Sequence, residues 1–314
     1  MNRDIMGLIV KREDGSEIVN YDDPQFPSYI FEGWVKPNVT WERVPHFHED
    51  IEMCTVTSGK MAYSVNGKTI MLHEGDTIFI NSNQIHYSMA IDNTTARYII
   101  FIAHPAILHS SVAVEMQAIR AITDNKDIPY LRFRDIDEMT EEMYRLMHTL
   151  PASRHCPFEI TKQFFQIWDL VIKRSEIIGI LGPEEAPDSR MQTFKNMMHF
   201  ISNNYQRTIT LDEIASSANI SKSLCNLLFK QFVNESPISY LMHLRARKVA
   251  EYLRSSSLSM TEIASLSGFT GVSYMSETFK KFFDSTPRDY RKMWQQNSAE
   301  QIEALDAINA PSAK

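Results

Sequence analysis

The carboxyl-terminal third of this 314-residue chain states one pattern twice. Leu211-Asp212-Glu213-Ile214-Ala215-Ser216 returns as Met260-Thr261-Glu262-Ile263-Ala264-Ser265, 49 positions later. The match then resumes at an offset of 50, pairing Ser223 with Ser273, Phe229-Lys230 with Phe279-Lys280, Phe232 with Phe282, Pro237 with Pro287 and Tyr240 with Tyr290. The second copy therefore holds one extra turn residue. A duplicated unit of this length predicts two copies of one small helical motif.

Each copy carries the punctuation of two short helices. Thr210 with Glu213 three residues on is a capping-box start, and Asn219-Ile220 makes a turn. Ser221 then caps a second helix over 222–234. In the second copy Ser259 caps 261–266, Gly268-Phe269 supplies the turn, and 272–283 is the second helix. Two short helices joined by a tight turn form the helix-turn-helix geometry, whose second helix enters the major groove of DNA. A long helix over 237–254, bearing Arg245, Arg247 and Lys248, separates the copies. As a rigid spacer it predicts two readers one DNA turn apart, about 34–36 Å.

Charge supports that reading. The chain carries a net charge of -7, but between Arg190 and Lys292 there are 14 Lys and Arg against 8 Asp and Glu. An acidic body with a basic end is expected where only that end meets phosphates. Lys222, Lys230, Lys280, Lys281, Arg245 and Arg291 are the candidate phosphate contacts, helped by the hydroxyl of Ser221. Taken singly, such lysines and arginines suit solvated surface equally well; Phe229, Phe279, Phe282 and Tyr290 read as core.

The stretch 209–292 resembles the DNA-binding domain of the AraC/XylS family of transcriptional regulators, with the signature running from Gly268-Phe269 through Ser273-Tyr274, Phe279-Lys280-Lys281 and Thr286-Pro287 to Tyr290-Arg291. The resemblance implies promoter binding, usually activation, and RNA polymerase as a partner. This chain departs from the family at Leu227 and Glu277, where an Arg is common in each reading helix, and at Asp284, where Gly is common. Arg to guanine is the commonest specific base contact, so its loss predicts a different operator. Ser223, Asn226, Ser273, Tyr274 and Glu277 are the expected base-edge residues, Glu277 as an acceptor from a cytosine amino group.

The other half alternates differently. Residues 51–57, 61–65, 68–72, 77–80 and 96–102 read as short strands, and Asn66-Gly67 is a strong hairpin signal. Such spacing predicts a sandwich or barrel. From about residue 110 the period becomes helical, over 136–149 and 158–180. The acidic, Pro-containing run 182–188 predicts a boundary. The expected organisation is an α+β multidomain chain: a β-barrel domain over 1–110, a helical linker and dimerisation region over 111–182, a tandem helix-turn-helix domain over 190–294, and a frayed tail over 295–314. Phe164, Trp168 and Ile172 are the candidate homodimer contacts; packing within the chain explains them equally well.

Within the strands, His46, His48 and Glu52 share a face by alternation, and His86 comes from a later strand. Two imidazoles, a carboxylate and a third imidazole suit a divalent transition metal. With Gly59 the spacing is that of a cupin barrel, which this half resembles, although Thr40, Asn81, Asn83 and Ala90 replace residues that cupins favour. The resemblance implies small-ligand sensing. Three states suit the cluster: a bound metal, contact to an effector without metal, and a hydrogen-bonded structural remnant. Trp34 and Tyr63, with Phe31 and Trp41, are candidates to stack on a small effector such as a sugar, or to be core. Alternation turns Phe47 and Tyr87 away from the cluster.

The leading expectation is thus a ligand-responsive, sequence-specific DNA-binding regulator and not an enzyme. A metal-dependent cupin enzyme with a DNA-binding appendage is the alternative; neither a separate nucleophile nor an acid pair accompanies the cluster. A helical adaptor that binds only proteins is the third reading. Cys54, Cys156 and Cys225 are odd in number and far apart, which argues against a disulfide framework. With neither a membrane-length apolar run nor a signal-like start, the expected location is the cytoplasm.

Overall fold

A computed structural model describes residues 10–11, 16–36, 45–134, 137–177 and 189–294. The expected break at 182–188, the tail 295–314, Thr40 and Trp41 lie outside the described residues.

Strands β1 (Val10–Lys11) and β2 (Glu17–Ile18) pair with each other. They precede β3 (Ser28–Val35), β4 (Ile51–Ser58), β5 (Lys60–Val65), β6 (Lys68–His73), β7 (Thr77–Ile80), β8 (His86–Ala90) and β9 (Ala96–Ala103). Short helical turns α1 (Val112–Val114) and α2 (Arg120–Thr123) follow, then β10 (Tyr130–Phe133). All pairings are antiparallel, in a five-stranded sheet of order β10-β7-β4-β9-β3 and a three-stranded sheet of order β6-β5-β8. β10 was not anticipated. It extends the barrel sheet beyond the boundary expected at residue 110, because a four-residue strand inside a helical stretch leaves little periodic signal.

β4 is buried on both faces from Ile51 to Val56, so its apolar residues Ile51, Met53, Cys54 and Val56 fall on either side of the sheet. Cys54 and Val56 face the barrel interior with Tyr63, Leu72, Ile78 and Tyr98. Ile51 and Met53 face the opposite way, toward α3 (Glu138–Ser153) and α4 (Pro157–Ile177), which cover the sheet. There Phe164 meets Phe101 edge-on at 5.3 Å, and Trp168 meets Phe79 at 6.0 Å. The Trp168 indole also donates to the Ala118 carbonyl at 3.1 Å. Phe164 and Trp168 are therefore core beneath the sheet; of the expected dimer contacts only Ile172 is partly uncovered.

The helical half comprises α5 (Ser189–Asn204), α6 (Leu211–Ser216), α7 (Lys222–Val233), α8 (Pro237–Ser255), α9 (Met260–Leu266) and α10 (Val272–Phe283). It holds two apolar centres, one around Phe194, Leu228 and Phe229 and one around Val249, Met275 and Phe279. Helix α8 runs between them and is buried nearly throughout, including His243, Arg245, Arg247 and Glu251.

Candidate nucleic-acid interface and effector site

Both repeats fold as their local chemistry dictates. Complete capping boxes, Thr210 with Glu213 and Ser259 with Glu262, start α6 and α9. Ser221 caps α7 by accepting from the Leu224 amide at 3.2 Å. Helices α7 and α10 end on residues with left-handed backbone, Asn234 (φ 55°) and Asp284 (φ 47°). Asx side chains tolerate that region, so Asp284 fills the place where the family commonly has Gly.

Each reading helix buries one face and presents the other. In α7, Cys225, Leu228, Phe229, Phe232 and Val233 are buried, whereas Lys222, Ser223, Asn226, Leu227 and Lys230 are exposed. In α10, Met275, Thr278, Phe279 and Phe283 are buried, whereas Ser273, Tyr274, Glu277, Lys280 and Lys281 are exposed. Lys222 lies 2.8 Å from Asp212, and the Asn226 amide donates back to the Lys222 carbonyl at 3.0 Å. Lys230 reaches toward the Asn234 carbonyl, and the Tyr274 ring stands edge-on to Phe269. Leu227 is 55% exposed, an apolar side chain where a base-reading arginine is common.

Two expected phosphate contacts are corrected. Arg245 is buried, and its guanidinium donates to the carbonyls of Tyr205 at 2.8 Å and Arg207 at 2.7 Å. Arg291 is half-buried and donates to the Leu258 carbonyl at 2.7 Å. Both arginines satisfy loop carbonyls, a demand that a lone basic residue in a sequence does not reveal. Around Arg245 the second repeat meets the loop that leads into the first: at Gly268, φ 80°, a Cβ would stand 2.3 Å from the Tyr205 carbonyl oxygen. His243 adds a second tie, 3.2 Å from Glu235 and stacked flat on Phe282 at 4.6 Å.

In the barrel, the four expected residues converge. His46, His48, Glu52 and His86 offer ligand atoms that all lie within 4.8 Å of one another. An isolated bridge between His46 and His86 brings the first segment onto the edge of β8. The His48 Nδ1 faces the Asp50 carbonyl at 3.0 Å and the His86 Nδ1 faces the Gln84 carbonyl at 2.9 Å. A carbonyl only accepts, so each Nδ1 carries a proton and each Nε2 is turned to Glu52, at 3.6 and 3.3 Å respectively. The Tyr63 hydroxyl donates to the other Glu52 oxygen at 2.7 Å.

Electrostatics hold the cluster together. Burial opposes ionisation of Glu52, but His86 and His48 outweigh it and hold its carboxyl well below the usual carboxylate range. Burial likewise opposes a charged His48, and Glu52 with Glu17 and Asp50 reverses the balance, raising it. Burial pushes the Tyr63 hydroxyl well above its ordinary value, helped by nearby Cys54 and Glu52.

Glu17 was missed by sequence reasoning: its carboxylate stands 3.7 Å from His46, and burial raises its pKa against the pull of His48, Arg247 and His86. Nothing in its two-residue strand signals that position. Trp34 is corrected as an interior stacker, being 39% exposed with Lys36 over its ring at 4.0 Å. Phe31 is half-buried against the interior and tilts onto Tyr98.

The donor set fits a divalent transition metal: three imidazoles and a carboxylate, with two imidazoles oriented by backbone carbonyls. Among the described residues the buried Nε2 of His48 has no hydrogen-bond partner, as a ligating nitrogen would require.

Comparison with known proteins places both halves. A helix-turn-helix domain model matches residues 214–293, and a cupin domain model matches residues 35–102. The chain is 24% identical to the HTH-type transcriptional regulator YdeC of Bacillus subtilis, over 88% of this chain and 96% of that one. It is 24% identical to the lactose operon transcription activator of Staphylococcus xylosus, over 75% and 81%, and to the HTH-type transcriptional activator RhaR of Cronobacter sakazakii, over 82% and 92%. Among solved structures, ToxT from Vibrio cholerae aligns over 84% of this chain and 95% of its own, with a TM-score of 0.44 and 11% identity. The domain pair and the near-full-length relatives mark a transcription regulator and not an enzyme. With paired helix-turn-helix units behind a cupin domain, the chain is a ligand-responsive, DNA-binding transcriptional regulator, similar in both halves to regulators of the AraC/XylS type.

Proposed function

We propose that α7 and α10 lie in successive major grooves of promoter DNA, with Ser223, Asn226, Ser273, Tyr274 and Glu277 at base edges. Ser221, Lys222, Lys230, Lys280 and Lys281 contact the phosphates. The observation that carries this reading is the matched exposure of one polar face on each helix, the opposite face being buried in its own apolar centre. The direct contact of Gly268 with the Tyr205 carbonyl supports a fixed spacing between the two readers. Footprinting of a bound operator tests it. Two protected major-groove segments about 10 base pairs apart are expected; one segment, or protection that moves freely with inserted base pairs, rejects it.

The chain acts in the cytoplasm as an activator that recruits RNA polymerase. Among the described residues no helix is long and apolar enough to cross a membrane. The effector is a small polyhydroxyl compound such as a sugar, held at His46, His48, Glu52, His86 and Tyr63. Support comes from the polar donors converging inside the barrel and from relatives named for lactose and xylose operons. A divalent metal held by His46, His48, Glu52 and His86 would supply Lewis acidity toward effector oxygens. The residues themselves orient the site: Tyr63 fixes one oxygen of Glu52, and the Asp50 and Gln84 carbonyls fix the imidazole faces. Metal analysis of the purified protein, with His48→Ala as the control, separates metal from metal-free binding.

A homodimer forms through α4. Phe158 and Phe165 are exposed seven residues apart, and Ile172 continues the stripe half-buried. A repeat of seven is the seam spacing of paired helices.

A further inference from the structure

The segment His46-Phe47-His48 serves two domains at once. Its histidines join the cluster, with the His46 and His48 rings 4.3 and 5.0 Å from that of His86. Phe47 points the other way, is 2% exposed, and belongs to the apolar centre of the first helix-turn-helix unit with Phe194, Met198 and Phe229. Lys195 of α5 lies over its ring at 4.2 Å. The second cluster segment repeats the arrangement: Ile85, next to His86, is fully buried in that same centre.

The hairpin tip completes the contact. Asn66 exchanges two hydrogen bonds with Ile85, its amide donating to the Ile85 carbonyl at 2.8 Å and its side chain accepting from the Ile85 amide at 3.0 Å. At the neighbouring Gly67, φ 83°, a Cβ would stand 1.6 Å from the carbonyl oxygen of Gln231, in α7. The Glu17 amide donates to the Phe47 carbonyl at 2.8 Å, and the Glu17 carboxylate lies within the electrostatic reach of Arg247 on α8. Each histidine-bearing segment thus also carries an apolar side chain seated in the DNA-binding half.

We infer that Phe47 and Ile85 are positioning residues that transmit the state of the His/Glu cluster to α7, so that rearranging the imidazoles on effector capture shifts the first reading helix. The inference rests on the cluster's being the effector site. Close-packed interiors move between discrete arrangements rather than deforming smoothly, so a sub-ångström shift of either segment must be answered in the apolar centre that holds α7.

The test is a double-mutant cycle on the full-length chain, read as affinity for a two-site operator. Glu52→Gln, which loosens the cluster, should change that affinity by about 5-fold or more, the lower range of inter-site coupling. In a Phe47→Ala background the same substitution should change it by less than about 2-fold, while Phe47→Leu should keep the response. Gly67→Ala, which wedges the hairpin off α7 without entering either core, should also blunt it, and so covers the case in which Phe47→Ala fails to fold. Equal effects of Glu52→Gln in all backgrounds, or no effect in the parent chain, would overturn the relay. Failure of the effector reading looks different. Calorimetric titrations with Zn2+ alone and with simple sugars would then give no heat that depends on His48, while the mutational coupling would persist.

Discussion

The guanidinium of Arg245 clamps the loop between α5 and α6, its Nε donating to the Tyr205 carbonyl at 2.8 Å. Its Nη2 holds the Arg207 carbonyl at 2.7 Å. Replacing it by Met strands both acceptors beside a buried helix. At about 1.5–3 kcal/mol per charge-assisted bond, with partial rescue by water, a loss of about 3 kcal/mol in urea unfolding is expected. Arg245→Lys should recover little, because an ammonium lacks the fork that reaches two carbonyls. The slope of log affinity against log salt should stay unchanged; a drop of about one phosphate contact would return Arg245 to the DNA surface.

Exposed residues of the reading helices should divide into two classes. Lys280→Ala should weaken binding to all sequences alike and lower the salt slope by about 0.9. Asn226→Ala should leave the slope intact and relax the preference at one base pair by about 1–3 kcal/mol. Competition binding across single-base operator variants distinguishes them, and a sequence-dependent loss in Lys280→Ala would contradict the assignment.

Asp137 caps α3 and meets the buried Arg174 at 2.8 Å. Partial burial pushes its pKa up, but the hydrogen bonds from Thr140 and the pull of Arg174 outweigh that and hold it below the usual aspartate value. A depressed folded-state pKa means that the stabilisation is present above the unfolded value, about 3.9, and is lost as pH falls through the lower folded value. Asp137→Asn keeps a capping side chain but removes the carboxylate charge facing the buried Arg174 guanidinium, for a cost of about 1–2 kcal/mol at neutral pH after allowing for the partial exposure of Asp137. The gap between parent and variant should be flat from pH 7 to about 5 and close toward pH 2. A gap that widens in acid would show the sign to be wrong.

Neighbouring phenylalanines on α4 should behave oppositely. Phe164→Ala opens a cavity beneath the sheet and should cost about 3–5 kcal/mol. Phe165→Asp, at a site 42% exposed, should change monomer stability by no more than about 0.5 kcal/mol. If α4 is the seam, light scattering should show the parent as a dimer and Phe165→Asp as a monomer at the same concentration; an equal mass for the two would remove α4 as the seam.

Features written within a few residues were legible in the chain itself. The repeat, both capping boxes, the Asn66-Gly67 hairpin and the two-residue spacing of His46 and His48 depend on local backbone geometry, and each appears where the residues dictate. Asp284 reads as a departure in sequence, yet its backbone takes the left-handed conformation that Asp and Gly both reach.

Other questions turn on partners far away along the chain, and only the tertiary structure decided them. Arg245 and Lys280 are both basic residues on helices, yet one is consumed by carbonyls 38 to 40 positions away while the other faces solvent. Phe164 and Phe165 differ only in which side of α4 the sheet covers. Glu17 joins the cluster through a contact that no periodicity relates, and Phe47, which alternation turns away from the cluster, is seated in the other domain by the tertiary structure alone. Local sequence determined which faces each element has; burial between distant elements determined which of those faces remained to meet DNA, an effector or a second chain.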